Sequence, residues 1–464
     1  MKRISNVRID IGRILAVLIT ISIELGGLLL CELLRNPIPS LISFIAVAVY
    51  LMFRYTDHVI KYSFIYFSIV GNVLGVFICE YSNVALYELS DISYYAGSLP
   101  LIIIIHTVFL YTLFLFDNDN IGLVPNHVNK QKIKYALIVL TAFAAIDFLL
   151  AASNPYYASD ADRFEYVSMG FTQQIAVKLL NTLMYCIPIA AMGISVGYKK
   201  IAIAFIALFC SAAYMTGNKF GIYIFVLYVI MLGFYNAIKN LDKIKLLKIT
   251  GVLLLVLSML VGVVFYQNSV LYGYSFDRNM EFFEQRIAQQ GQLWWKTYSL
   301  IDSGVTSSSR DIEGELESWF SDENNPADGS YGIYKIMKMD TADQNLFYKK
   351  IQANSSYAYS TQASIYYYSG IAGSLLFAAI SALIYMLLIK RLIKVIQEGR
   401  LLESIILTRF LVLIHGVLRQ SEFYSLFSWR TFVYILIYVL VVYFTSDRRS
   451  YRASSLKTRQ HSNS

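Results

Sequence analysis

Stretches of about twenty apolar residues recur along nearly the whole chain, and that repetition decides what it can fold into. An apolar segment of this length crosses a bilayer as a helix, because only a helix pairs every backbone N–H and C=O without water. Twelve such stretches can be placed, at residues 12–33, 38–53, 60–79, 99–116, 135–152, 173–197, 201–215, 220–236, 249–267, 370–389, 403–419 and 429–445. Of the 464 residues, 57% are hydrophobic and 15% charged, against about 25% charged in a soluble domain. The expected fold class is all-α: a polytopic integral membrane bundle of about twelve transmembrane helices.

Charge sets the expected orientation. The net charge is +8, but the basic residues cluster in alternate connections. Examples are Arg54 and Lys61, Lys130, Lys132 and Lys134, Lys199 and Lys200, Lys239 through Lys248, and Lys390 through Arg400. The positive-inside rule accounts for this pattern without invoking nucleic acid. It puts both termini in the cytoplasm and segments 80–98, 154–172, 268–369 and 420–428 on the opposite face. The expected organisation is residues 1–267 as nine helices with short loops, 268–369 as one large periplasmic loop, 370–447 as three more helices, and 448–464 as a disordered basic cytoplasmic tail. The start lacks a small-residue cleavage site, so the first apolar run is expected to be retained as a span.

The large loop has its own pattern. No Pro or Gly interrupts residues 278–290, and Met280, Phe283 and Ile287 fall on one helical stripe. The spacing predicts an amphipathic helix lying flat at the interface, ended by Gly291 just before Trp294 and Trp295. Residues 307–340, rich in Ser, Asp, Asn and Gly, read as loop.

Arginine matches phosphate oxygens with a two-pronged fork and keeps its charge near lipid. Arg163, Arg278, Arg286 and Arg419 on the expected outer face, with Lys219 in the turn Thr216-Gly217-Asn218-Lys219, are therefore candidate diphosphate ligands. Gln289, Gln290 and Gln292 offer amides for sugar hydroxyls, and Trp294 and Trp295 offer faces for sugar rings. An interfacial aromatic belt accounts for the tryptophans equally well, but not for three glutamines in four positions. Ionisable groups within spans are costly and are candidates by default: Glu24, His106, Asp147, Arg409 and His415. Arg409 can snorkel toward Glu403. Glu284, His415 and Glu422 are the candidate general bases.

No phosphate-binding Gly-x-x-x-x-Gly-Lys loop and no His-Glu-x-x-His is present, so neither nucleotide hydrolysis nor that zinc chemistry is expected. Asp160-x-Asp162 and Asp117-x-Asp119 are too sparse to argue for a metal. Cys31, Cys79, Cys186 and Cys210 all fall in apolar runs and match no metal or disulfide spacing.

The chain resembles the bacterial O-antigen polymerase family (Wzy). The segment Arg286-Ile287-Ala288-Gln289-Gln290-Gly291-Gln292-Leu293-Trp294-Trp295 is similar to the Arg…Gln-Gly-Gln…Trp-Trp segment of one polymerase subgroup. Asp162-Arg163-Phe164-Glu165-Tyr166 and Tyr95-Ala96-Gly97-Ser98-Leu99-Pro100 resemble its shorter loop motifs. Thr216-Gly217-Asn218-Lys219 resembles a turn shared by polymerases and ligases, with Lys where Arg is frequent. The resemblance implies an inverting, GT-C-like glycosyltransferase of the inner membrane, working without metal, cofactor or nucleotide sugar. Its substrate would be an oligosaccharide on undecaprenyl diphosphate, and its partners membrane lipids and a chain-length regulator protein.

Three other readings compete, one of them a non-catalytic membrane scaffold or sensor, against which the clustered outer Arg, Gln and Trp residues count. A ligase of the same broad kind carries a histidine in its large loop, and residues 268–370 contain none. A lipid-linked oligosaccharide flippase should show internal repeats and has no need of so long a loop.

Overall fold

The computed structural model describes residues 11–117, 128–158, 170–218, 220–239, 241–305, 332–352 and 357–444, with Tyr166, Glu313, Leu316 and Trp319 as isolated positions. All twelve apolar stretches are helical. Six helices are long and apolar enough to cross a membrane: α1 (Ile11–Leu34), α4 (Ser63–Tyr81), α5 (Leu99–Phe116), α6 (Lys130–Ser153), α17 (Ser360–Gln397) and α18 (Leu401–Gln420). The pair α7 (Phe171–Met184) and α8 (Ile187–Ser195), bent by 47°, makes a seventh if it is one span. Helices α2 (Ile38–Arg54), α10 (Phe220–Gly233) and α20 (Trp429–Phe444) are apolar but shorter. The chain is a helical, membrane-embedded protein. Its contacts divide into two compact units.

Unit 1 comprises residues 1–122, 223–390 and 414–422. Helices α1 and α2 form a hairpin in which Gly27 faces α2: a Cβ there would come within 2.9 Å of the Pro39 carbonyl. Short α3 (Thr56–Lys61) leads into α4. Helix α5 is apolar all round and mostly buried, as a central helix must be. Its first turn is capped from α4: Glu80 accepts hydrogen bonds from the Ser98 and Leu99 backbone N–H groups. Its last turn is met by cations. The Asp117 carboxylate accepts from Lys61 at 2.7 Å and Lys390 at 2.8 Å, and Arg13 donates to the Phe114 and Asp117 carbonyls. Burial alone would raise Asp117, but His58 close by, the Lys61 charge and the hydrogen bonds from Lys61 and Lys390 outweigh it and hold the carboxyl well below its usual range.

The described part of the expected loop is a packed layer; most of residues 306–331, and 353–356, lie outside the described residues. Helix α12 (Lys243–Tyr272) ends at Gly273 in the left-handed conformation. Then come α13 (Phe276–Ala288), capped by the Ser275 hydroxyl, α14 (Gln292–Asp302), α15 (Gly332–Asp340) and α16 (Gln344–Gln352). The helical span 332–340 corrects the expectation of loop there: Ile333, Ile336 and Met337 share one face and fill the core. A two-stranded antiparallel hairpin, β1 (Ala85–Leu86) and β2 (Asp91–Ile92), is also new. Leu86, Leu89, Leu293, Trp295, Ile336, Phe347, Tyr357 and Tyr367 pack into one apolar cluster beneath these elements.

In α13 the expected stripe is turned outward. Met280 and Phe283 are exposed, while Asn279 and Gln285 are buried. Asn279 bonds to Asn268, Ser269 and Ser275, so a polar seam fixes the helix to the end of α12.

Gly291 does break the helix, but not through a left-handed turn, since its φ is −125°. The reason for glycine is close approach. The α13–α14 junction crosses α4 so tightly that a Cβ on Gly75 would lie 2.5 Å from the Gly291 nitrogen and 2.6 Å from the Ile287 carbonyl oxygen.

Unit 2 comprises residues 123–222, 391–413 and 423–464. Helix α6 packs on α9 (Lys199–Met215) and α7. The α7–α8 break at Tyr185–Cys186 precedes Pro188, which lies in the first turn of α8 and has no N–H to continue the hydrogen-bond ladder across the break. Asp147 on α6 is fully buried, with no hydrogen-bond partner among the described residues. Arg391 and Arg400 both bind the Glu403 carboxylate, through Arg391 Nε at 2.8 Å and Arg400 at 2.7 Å.

Two outcomes follow from the layer. Gly75→Ala and Gly291→Ala should each force backbone apart and destabilise by about 1–3 kcal/mol, read as a lowered melting temperature in detergent. Gly71→Ala, whose Cβ meets only the Tyr359 hydroxyl at 3.8 Å, should melt like the parent.

The second concerns Asp340, fully buried between α14 and α15, whose Oδ2 accepts from Thr297 at 2.6 Å. Burial lifts its carboxyl from an ordinary 3.8 to about 8. The folded state therefore holds the proton more tightly than the unfolded one, and stability falls as pH rises from about 4 to about 8. Asp340→Asn should flatten that slope in melting curves taken across the range; equal slopes would overturn the assignment.

Candidate functional site

Where α4, α5, the α13–α14 junction and the far end of α18 meet within unit 1, polar side chains from remote parts of the sequence join. His106 on α5 shares a 2.8 Å hydrogen bond with Asn72 Oδ1 on α4. The Asn72 amide donates to the Gln290 carbonyl at 2.5 Å. Gln290 Oε1 accepts from Arg419 at 3.3 Å, across 129 residues of sequence. Gln290 Nε2 donates to the Arg286 carbonyl at 3.1 Å, and the Arg286 guanidinium donates to Gln289 Oε1 at 3.0 Å.

The Arg419 guanidinium lies 5.0 Å from the Tyr359 ring centroid. The end of α18 is tied down from α17: the Thr361 hydroxyl donates to the Val417 carbonyl at 2.6 Å and accepts from the Ser421 N–H at 2.8 Å. These bonds satisfy groups that a helix end leaves open and fix where Arg419 projects.

Below Arg419 lies a cavity of about 30 Å3, room for one or two waters. Ser68, His106, Tyr359, Gln362, His415 and Arg419 are among its polar lining residues, and Ile69, Phe109 and Phe377 form part of its apolar wall. His415 rests on the Phe64 ring with centroids 4.3 Å apart. His415 Nδ1, Arg419 Nε and Gln362 Oε1 are buried without a hydrogen-bond partner among the described residues. Glu422 follows Ser421, whose φ is +57°, and folds back so that a Cβ on Gly416 would sit 2.5 Å from its carboxylate oxygen. Burial raises the Glu422 carboxyl above its usual range, the direction a base working near neutral pH needs.

The structure therefore brings together Arg286, Gln289, Gln290 and Arg419, with His415 lining the same cavity as Arg419. Arg278 stands apart, exposed, its cation 4.7 Å from the Tyr274 ring centroid. Glu284 is half-buried on α13 and makes no hydrogen bond or ion pair with the described residues.

Gln292, Trp294 and Trp295 are buried rather than facing water. Gln292 donates to Glu88 at 2.6 Å, the Trp294 indole to the Ser98 carbonyl at 3.2 Å, and the Trp295 indole to the Tyr94 carbonyl at 2.8 Å. They anchor the layer to segment 84–98, so neither indole presents the open face to a sugar ring that the sequence suggests. Arg163 and Lys219 lie outside the described residues.

Asn72 and Tyr359 were not picked out from the sequence, although an Asn in a long apolar run is such a signal. Among the described residues, no cluster of three or more His, Cys, Asp or Glu side chains could hold a metal ion.

A family model described as "Family of unknown function (DUF6418)" matches residues 326–435. That stretch contains Arg409, His415, Arg419 and Glu422, and none of α13 or α14. No curated protein and no solved structure matches the chain.

Asn72→Leu removes both bonds at the centre of this relay, leaving His106 and the Gln290 carbonyl unpaired. A cost of about 1–3 kcal/mol is expected, checked by thermal unfolding against the parent.

Proposed function

We propose that the chain is a membrane glycosyltransferase of the O-antigen polymerase kind, moving a growing glycan from undecaprenyl diphosphate onto the terminal sugar of a new lipid-linked repeat unit. The observation that carries this reading is the cluster of Arg286, Gln289, Gln290 and Arg419, assembled from segments remote in sequence at the edge of a membrane-embedded cavity. In this reading the chain crosses the inner membrane twelve times with both termini cytoplasmic, and the α13–α16 layer is periplasmic.

The reaction needs positive charge where the diphosphate leaves, acceptors and donors to orient sugar hydroxyls, and a group to take the attacking hydroxyl's proton. Arg286 and Arg419 supply the charge, with Arg278, Arg163 and Lys219 as further ligands of the lipid-linked substrates. Gln289 and Gln290 orient sugars. Glu422, His415 and Glu284 are the base candidates, with Glu422 favoured because its burial raises its proton affinity. The C–O bond to the diphosphate breaks as the new glycosidic bond forms. The proton passes to the base, and no metal or nucleotide takes part.

In a strain lacking the chromosomal copy, Arg419→Ala and Arg286→Ala should slow polymer formation roughly 100-fold, the usual cost of removing one preorganised charge. Single repeat units should still reach the lipid A core. Normal ladders from both variants would sink the proposed site. Loss of every attached sugar in the deletion strain itself would replace polymerase with ligase or flippase.

A further inference from the structure

Arg409 is a cation on a membrane helix that makes no hydrogen bond with the described residues. It is the ninth residue of α18, about 12 Å from the helix start. Among the described residues its contacts are two aromatic rings. The Tyr434 centroid is 3.8 Å and the Tyr185 centroid 5.4 Å from the guanidinium carbon. All three residues belong to unit 2. Tyr185 stands at the α7–α8 break, where the two helices bend by 47°. The sequence offered Glu403 as a partner, but that carboxylate is held by Arg391 and Arg400. The buried Asp147 carboxylate makes no ion pair with Arg409 either.

Ring faces offset the charge but accept none of the five N–H donors. A guanidinium in an apolar span with open donors is costly, and a side chain held against two rings cannot swing freely to water. The missing component is an anion with several acceptor oxygens. Arginine's planar fork fits a phosphate, and the surrounding apolar helices suit an acyl or prenyl tail.

We infer that Arg409, Tyr185 and Tyr434 form a binding site for a lipid phosphate in unit 2. The site stands apart from Arg419 and does not depend on the transfer reaction. Three features point to a built site: two rings from separate helices flank the guanidinium, a proline-backed break supplies one of them, and the nearest acid on the same helix is already committed.

The full chain in detergent micelles doped with dioleoylphosphatidylglycerol tests this, with bound lipid counted by native mass spectrometry. The parent should retain the lipid. Arg409→Ala should weaken retention about 10-fold or more, as expected for a charged hydrogen-bond donor. Arg409→Lys keeps the charge but lacks the fork, and should fall in between. Melting curves of each variant confirm folding, and Arg409→Lys carries the test should Arg409→Ala fail to fold. Equal retention by parent and both variants overturns the site. Displacement of the lipid by millimolar inorganic phosphate overturns the lipid assignment in favour of a soluble anion.

Discussion

Unit 1 is organised around α5, a helix mostly buried and largely apolar around its circumference. Such a helix has no polar face to orient it, so its ends must do so. Its first N–H groups donate to Glu80, and its last turn gathers Arg13, Lys61 and Lys390 around Asp117. Acid at the amino end and bases at the carboxyl end both complement the helix dipole. The same capping fixes neighbours: Glu80 belongs to α4, Lys61 to α3, Arg13 to α1 and Lys390 to α17. Removing Asp117 would leave Lys61 buried beside like charges, a far larger penalty than the loss of one bond.

The polar relay inherits this order. His106 is halfway along α5 and Asn72 faces it from α4, so their separation is set once the two helices are clamped. Gln290 reaches them only because Gly75 and Gly291 let two backbones touch. Arg419 reaches Gln290 because Thr361 caps the end of α18. Four segments far apart in sequence thus meet through two glycines, one threonine and one asparagine.

How much of this could be read beforehand follows from the range of each interaction. The helix expected over residues 278–290 appears at Phe276–Ala288, because capping and the absence of breakers are local signals. The burial of Trp294 and Trp295 was not legible. Their acceptors, the Ser98 and Tyr94 carbonyls, lie about 200 residues earlier, and an interfacial indole and a buried one look alike in sequence. The burial of Asn279 and Gln285 was not legible either: an amphipathic helix at an interface can expose Met280 and Phe283, but the partners of Asn279 at the end of α12 are fixed only by the fold. The clustering of Arg286, Gln289 and Gln290 was legible from their proximity along the chain. Their meeting with Arg419 required the fold.

One detail of the relay has a chemical consequence. A backbone carbonyl can only accept a hydrogen bond, so the Asn72 atom facing the Gln290 carbonyl must be the amide nitrogen. The atom facing His106 is then the amide oxygen, and His106 Nε2 must carry a hydrogen. The tautomer of a buried imidazole is thereby dictated by a peptide group on another segment. Whatever charge the ring carries, Nε2 keeps its hydrogen while the relay is intact, and any proton that His106 exchanges enters or leaves through Nδ1.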